Sequence, residues 1–409
     1  METGAAVEKQ KQFFHSSLQN AYWRFAQFPQ AWRSQQPRGG PNQMIKVGQI
    51  KWTKPGYVDM RGRPVGTCVL VTHASRTPAW DLADEDHEIV ARYANILFLC
   101  GMAKNDYNTN MGCYTNASTF QFVRQRFTVP VDFIAFSTRR RDGSTMDGGY
   151  RHGDVKFPIP PQSKSLRDTC IDTTLAHALA AAVDANSPVA QRVLAALVFF
   201  SLANTDSDVM QQEAEVILMG SAYEQLLDVE ASARALNETI GDLLSPYASI
   251  KVAEALKDRP GIVVEHKYEA AQQTWPIHRK WAQEFYHLRN DYTHGNEIGA
   301  RTWGWQPLEH LVMASFLFPV IVKVLLSKEG YYQLTEDDEG VLRAIDKLLV
   351  VNKWGQRVGS HSNATAWQET LRKAIHDLAM RRAIEKGIAE LRAQGIFPPE
   401  GVDDGKDEE

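Results

Sequence analysis

The most apolar stretch of the chain, residues 311–326, constrains the fold more than any other segment. It is apolar almost throughout, broken only by residues such as Pro319 and Lys323. A bilayer-spanning helix needs about 20 consecutive apolar residues, and this run is shorter and interrupted. A helix that is apolar on all sides must be buried, so the segment reads as a core helix that other helices must surround. No membrane partner is expected. With 409 residues, of which 44% are hydrophobic and 23% charged, the chain has material for two domains with extensions.

The rest of the chain falls into five stretches. Residues 1–43 hold an amphipathic helix, with Phe14, Leu18, Ala21, Tyr22, Phe25 and Phe28 on one stripe, and then a linker rich in Gln, Pro and Gly. Residues 44–164 carry short runs rich in β-branched and aromatic side chains at 67–72, 96–100, 120–129 and 131–137, separated by turn residues. They read as a β-rich sensing or binding domain that ends in the proline-rich connector 157–161. Residues 165–334 are helical in pattern, with segments at 172–185, 189–202, 210–229, 276–294 and 307–327. Ser187-Pro188, Pro276 and Pro307 stand at helix starts, and Gly295 stands where a C-terminal cap belongs. Residues 335–400 add two more helices, and the acidic tail 401–409 reads as disordered. The expected fold class is therefore α+β, a β-rich N-terminal domain followed by an all-α bundle with a C-terminal helical extension.

Charge and cysteines narrow the function classes. A net charge of −4 excludes a globally basic nucleic-acid coat but leaves room for a local basic patch. Cys68, Cys100, Cys113 and Cys170 are scattered without a CxxC pair, so they read as reduced thiols of a cytoplasmic protein. A zinc site on Cys100 and Cys113 lacks its second ligand pair. Glu284 and His287 form one E-x-x-H without a second copy, which is half of a di-iron bundle motif. No metal and no cofactor are expected. The chain also lacks a P-loop, a G-x-G-x-x-G and a nucleophile elbow.

Functional groups crowd into one place. His287, Arg289, Asn290, Asp291, Tyr292, His294 and Asn296 follow closely on one another, while Phe285 and Leu288 face the core. Histidine exchanges a proton near neutral pH, and arginine holds two phosphate oxygens as charge builds on phosphorus. On one helix, however, Arg289 lies about 140° around from His294 and about 7.5 Å along the axis. Two copies meeting about a two-fold axis would place both residue types in a shared cleft.

The block from Phe285 to Gly295, with its Arg289-Asn290-x-x-x-His294 core, resembles the signature of the HEPN superfamily, the higher-eukaryote and prokaryote nucleotide-binding domains. The wider context is similar to the ApeA-like branch, with 218–227 resembling its acidic helix and Glu224 in the acidic position. The resemblance covers roughly residues 185–330. It implies a metal-independent endoribonuclease acting as a homodimer or higher homo-oligomer, in which the RNA 2′-hydroxyl attacks the adjacent phosphate. It assigns catalysis to Arg289 and His294, with Asn290, Glu224 and Asp291 in support. It also implies an antiphage abortive-infection effector, held back by its N-terminal part until a phage-derived or other protein trigger arrives.

Each residue also has a structural reading. Arg289 can form an interhelical salt bridge to Glu224, and His294 can simply favour a helix terminus. Arg139, Arg140 and Arg141 form a basic hairpin tip, either a solvated turn or an RNA backbone contact. Trp275, Trp281, Trp303 and Trp305 flank the motif and either pack or stack bases. A non-catalytic HEPN adaptor that dimerises within a larger complex is the alternative class.

Overall fold

The computed structural model describes residues 47–49, 58–59, 69–71, 92, 95–105, 107, 117, 126–127, 133–139, 144–151, 156–157, 170–205, 210–265, 268–296, 302–358 and 364–394. The expected helix at 7–28, the linker after it and the acidic tail lie outside the described residues.

From residue 173 onward the described residues form, in chain order, α1 (Thr173–Asp184), α2 (Pro188–Ala203), α3 (Gln212–Leu227), α4 (Ala233–Leu244), α5 (Val252–Ala255), α6 (Glu269–Gln273), α7 (Ile277–His294), α8 (Pro307–Lys328), α9 (Glu336–Val350) and α10 (Ala366–Ala393). Their starts follow from local chemistry. Ser187 accepts hydrogen bonds from the N–H groups of Val189 and Ala190, with Pro188 in the first turn of α2. Reciprocal capping boxes open α8 (Gln306 with Glu309), α9 (Thr335 with Asp338) and α10 (Thr365 with Gln368). The first turn of α9 adds Glu336, Asp337 and Glu339 at the positive end of its dipole.

The segment expected to be a core helix is one. In α8, His310, Leu311, Phe316, Leu317, Phe318, Ile321 and Lys323 are all buried, and the helix continues through Pro319. Among the described residues α8 is long and apolar enough to cross a membrane, and 72% of that stretch is buried inside the fold. Phe318 stacks on Phe200 of α2 at 4.0 Å and receives the edge of Tyr223 of α3 at 5.6 Å. The Tyr223 hydroxyl donates to the Ala314 carbonyl at 2.8 Å.

Lys323 is the polar exception inside α8. Its ammonium lies 2.7 Å from Asp172 at the start of α1 and 2.6 Å from Asp338 in α9. Asp338 also accepts from the Tyr332 hydroxyl at 2.8 Å. Burial disfavours the charged lysine, but hydrogen bonds to both carboxylates outweigh it and hold Lys323 above its usual range. Burial likewise pushes the Asp338 carboxyl up, while Lys323 and Thr335 draw it below the ordinary 3.8.

The α+β expectation is corrected. Of the residues whose side-chain placement is described, 72% are helical and 2% strand, with no sheet among them, so a β-rich N-terminal domain is not seen. The backbone does show short strands. β1 (Val47–Gln49) pairs with β3 (Val69–Val71), β2 (Val58–Asp59) with β7 (Lys156–Phe157), and β4 (Arg126–Phe127) with β5 (Phe133–Arg139), which pairs with β6 (Thr145–Arg151). Five of the seven are only two or three residues long, and β5 and β6 have 7 each.

The clearest reversal is at 96–100, expected as strand. Residues 95–102 are helical, and Ile96, Leu97, Phe98, Leu99, Cys100 and Met102 are all buried. A short continuous apolar run fits a strand buried on both faces or a helix buried all round, and periodicity does not separate them. This helix belongs to the helical core. Phe98 packs on Phe200 at 5.4 Å, and the Asp172 N–H donates to the Cys100 carbonyl at 2.9 Å. Burial first, then the Asp172 charge, pushes the Cys100 thiol well above its usual range.

Replacing Lys323 by Met would leave Asp172 and Asp338 buried without their counter-charge and should cost about 3–5 kcal/mol in urea unfolding at neutral pH. Asp338, with its pKa depressed in the fold, contributes stability that is present above the unfolded value and lost as pH falls through the folded one. The gap between wild type and Lys323→Met should therefore narrow below pH 3.8.

Candidate functional site

Helix α7 carries the motif, and its inner face is set by Trp281, Phe285 and Leu288, all buried. Trp281 stacks parallel to Phe285 at 5.6 Å, and Phe285 meets the edge of Tyr223 on α3 at 6.0 Å. The N-terminal end is anchored by His278, whose Nδ1 lies 2.7 Å from Asp346 of α9. The other Asp346 oxygen accepts the Ser249 and Ile250 N–H groups at 2.6 and 3.0 Å. The C-terminal end stops at Gly295, whose φ of +67° is the left-handed cap that glycine adopts without strain.

Packed this way, α7 presents Tyr286 and Arg289 to Glu224 on α3. The Tyr286 hydroxyl donates to Glu224 Oε1 at 2.7 Å, and an Arg289 Nη2 hydrogen reaches the same carboxylate at 3.4 Å. Arg289 Nη1 donates to Asn290 Oδ1 at 3.1 Å. The guanidinium carbon lies 5.3 Å from the Tyr286 ring centroid, within cation–π range. Arg289 and Glu224 side chains are 16% and 14% exposed, so the pair is mostly shielded but reaches the surface. Burial first, then the hydrogen bond to Glu224, raises the Tyr286 pKa and keeps its phenol a donor.

The expected site residues thus divide. Arg289, Asn290 and Glu224 come together on one surface. His294 is the last residue of α7 and is exposed, displaced from Arg289 along and around the helix. Helical geometry sets the two about 140° apart around the axis and about 7.5 Å along it. Asp291 faces inward, buried, and its Oδ1 accepts from Asn296 at 2.9 Å while its backbone carbonyl accepts the Asn296 N–H at 2.9 Å. That role is helix termination. Arg139 ends β5 opposite Thr145, and Arg140 and Arg141 lie outside the described residues.

The other sequence candidates resolve into packing. Glu284 turns inward, accepting the Trp305 N–H at 3.0 Å and lying 3.5 Å from His310, while His287 faces Glu265 at 3.8 Å. Among the described residues no group of three His, Cys, Asp or Glu side chains could hold a metal. Trp281 and Trp305 are fully buried, and the face of Trp275 is covered by the Arg279 guanidinium at 4.2 Å.

Tyr286 was missed by sequence reasoning because its contact is to a helix 62 positions away. Gly220 was also missed. A Cβ there would lie 2.7 Å from the Arg289 Cγ, so the glycine is the gap that lets the arginine stem lie against α3. The only sequence signal for it was a glycine inside a helical pattern, which points to close packing.

No family model, no curated protein and no solved structure matches the chain.

Gly295→Ala should cost about 1–2 kcal/mol, because an L-residue resists the left-handed conformation. A Cβ at Gly295 meets nothing within 4 Å, so the loss isolates backbone strain. Unchanged urea unfolding would show that the cap does not hold the end of α7.

Proposed function

We propose that this chain is a metal-independent HEPN-type endoribonuclease. The observation that carries the reading is the surface-reaching Arg289, flanked by Asn290 and Glu224, on the helix that ends in the exposed His294. A guanidinium held at two of its nitrogens keeps further N–H groups for a phosphate. An exposed imidazole at a helix end is open to solvent and substrate.

In the reaction, the RNA 2′-oxygen attacks the adjacent phosphorus as its proton passes to a His294 imidazole. The phosphorus–O5′ bond breaks, and a second His294 protonates the leaving oxygen. Arg289 carries the charge that builds on the non-bridging oxygens. The products are a 2′,3′-cyclic phosphate and a 5′-hydroxyl. Because Arg289 and His294 of one chain are apart, two copies of α7 supply the complete set, so a homodimer or higher homo-oligomer is the active form. DNA lacks the attacking hydroxyl and is not a substrate. The setting we propose is the bacterial cytoplasm, in antiphage defence by abortive infection, with a protein trigger releasing the activity.

One observation favours a second reading. The Arg289–Glu224 pair closes within the chain, as a purely structural interhelical bridge would. A non-catalytic adaptor that dimerises through α7 is that alternative.

Labelled RNA incubated with the protein in excess EDTA should be cut to products ending in a 2′,3′-cyclic phosphate. His294→Ala should slow cutting by about a hundredfold to ten-thousandfold, and Arg289→Ala by about a hundredfold to a thousandfold. Cutting that survives both substitutions, or that needs a metal, would end the ribonuclease reading. An intact RNA in the presence of folded dimer would favour the adaptor.

A further inference from the structure

The Glu224 carboxylate sits between two donors that both belong to α7. Tyr286 and Arg289 are three residues apart and share one edge of that helix. Tyr286 holds Oε1 at 2.7 Å, and the arginine reaches the carboxylate at 3.4 Å, a looser contact. The phenol therefore fixes the carboxylate more tightly than the guanidinium does. Arg289 Nε is buried without a hydrogen-bond partner, so the outward contacts of the arginine fall to its two Nη groups. One Nη is steered by Asn290 and the other by Glu224.

The carboxylate has a second geometry open to it. Both of its oxygens already lie 3.4 Å from Arg289 Nη2. Freed from the tyrosine, it can close onto two guanidinium nitrogens in a bidentate pair, the strongest arrangement these groups form. That pair would cover the edge a phosphate needs. Gly220 acts on the same arginine from the other side. It stands one turn before Glu224 on α3, and the Arg289 stem occupies the space where its Cβ would be.

We infer that Tyr286 and Gly220 are positioning residues for Arg289. Tyr286 holds Glu224 so that the carboxylate occupies one part of the guanidinium and leaves the rest for a phosphate, and Gly220 lets the arginine lie flat enough on α3 to stay there. Their effect on RNA cleavage rests on the ribonuclease reading above. The physical link between Tyr286 and Arg289 does not, and it can be measured separately.

The test uses the full chain with Tyr286→Phe, Gly220→Ala, Arg289→Ala and the Tyr286→Phe/Arg289→Ala double variant. Cleavage of labelled RNA gives kcat and KM, and thermal unfolding gives Tm for each. Tyr286→Phe keeps the ring and its packing and removes only the hydroxyl. It should lower kcat by about tenfold to a hundredfold, the scale of an Å-level misplacement, with KM unchanged. Gly220→Ala should lower kcat in the same direction, since it displaces the same side chain. In Tm, the double variant should lose less than the sum of the two single losses, because both substitutions break one network.

Tyr286→Phe that cuts at the wild-type rate while Arg289→Ala is dead would overturn the inference. Strictly additive Tm losses would overturn it too. A wild-type protein that cuts no RNA sinks the ribonuclease reading alone. The Tm cycle then decides the positioning, which coupling supports and additivity ends.

Discussion

Lys323 lies inside the most apolar helix of the protein with its ammonium 2.7 Å from Asp172 and 2.6 Å from Asp338. A lone ammonium in that setting would cost several kcal/mol in lost hydration. Two carboxylates from separate elements offset that cost only if the start of α1, the middle of α8 and the start of α9 all arrive together. The pairing therefore fixes three elements at once. With α8 seated, Phe200 and Tyr223 pack against Phe318, which sets α2 and α3. Phe285 then meets Tyr223, and α7 is laid against α3 with Glu224 facing Tyr286 and Arg289. The candidate site is the outer end of this chain of contacts.

Local sequence chemistry made the helical part legible. Ser187-Pro188, Pro307 and Gly295 fall at helix ends as their backbone preferences require, and the apolar run at 311–326 lies within the central helix. Two kinds of element were not legible. Helix α4, Ala233–Leu244, is not among the sequence expectations although it packs closely on α7, where Gly241 gives room to the stem of Arg279. The run 96–100 reads as strand because an unbroken apolar segment carries no period, and its neighbours in space, Phe200 above all, are far away in sequence.

The site itself was half legible. Arg289, Asn290 and His294 stand out as a dense polar cluster on one helix, and helical geometry alone separates the arginine from the histidine. The Arg289–Glu224 bridge is among the sequence expectations, whereas the parts played by Tyr286 and Gly220 are not. Glu224 and Gly220 reach Arg289, and Tyr286 reaches Glu224, only when α3 and α7 pack. Asp291 shows the reverse case, since its place within the cluster suggests a role in the site whereas its buried contacts serve the end of the helix.

On the ribonuclease reading we propose, the decisive consequence of this geometry is that one chain holds an incomplete set of catalytic groups. Arg289 is drawn back against α3 while His294 stands exposed at the helix end, so on that reading cleavage depends on a second copy. Measuring RNA cleavage per chain across a dilution series, with molecular mass followed in the same samples by sedimentation, tests this most directly. Activity per chain should fall in step with loss of the dimer and return when the protein is reconcentrated. A monomer that cuts RNA at the full rate would contradict it.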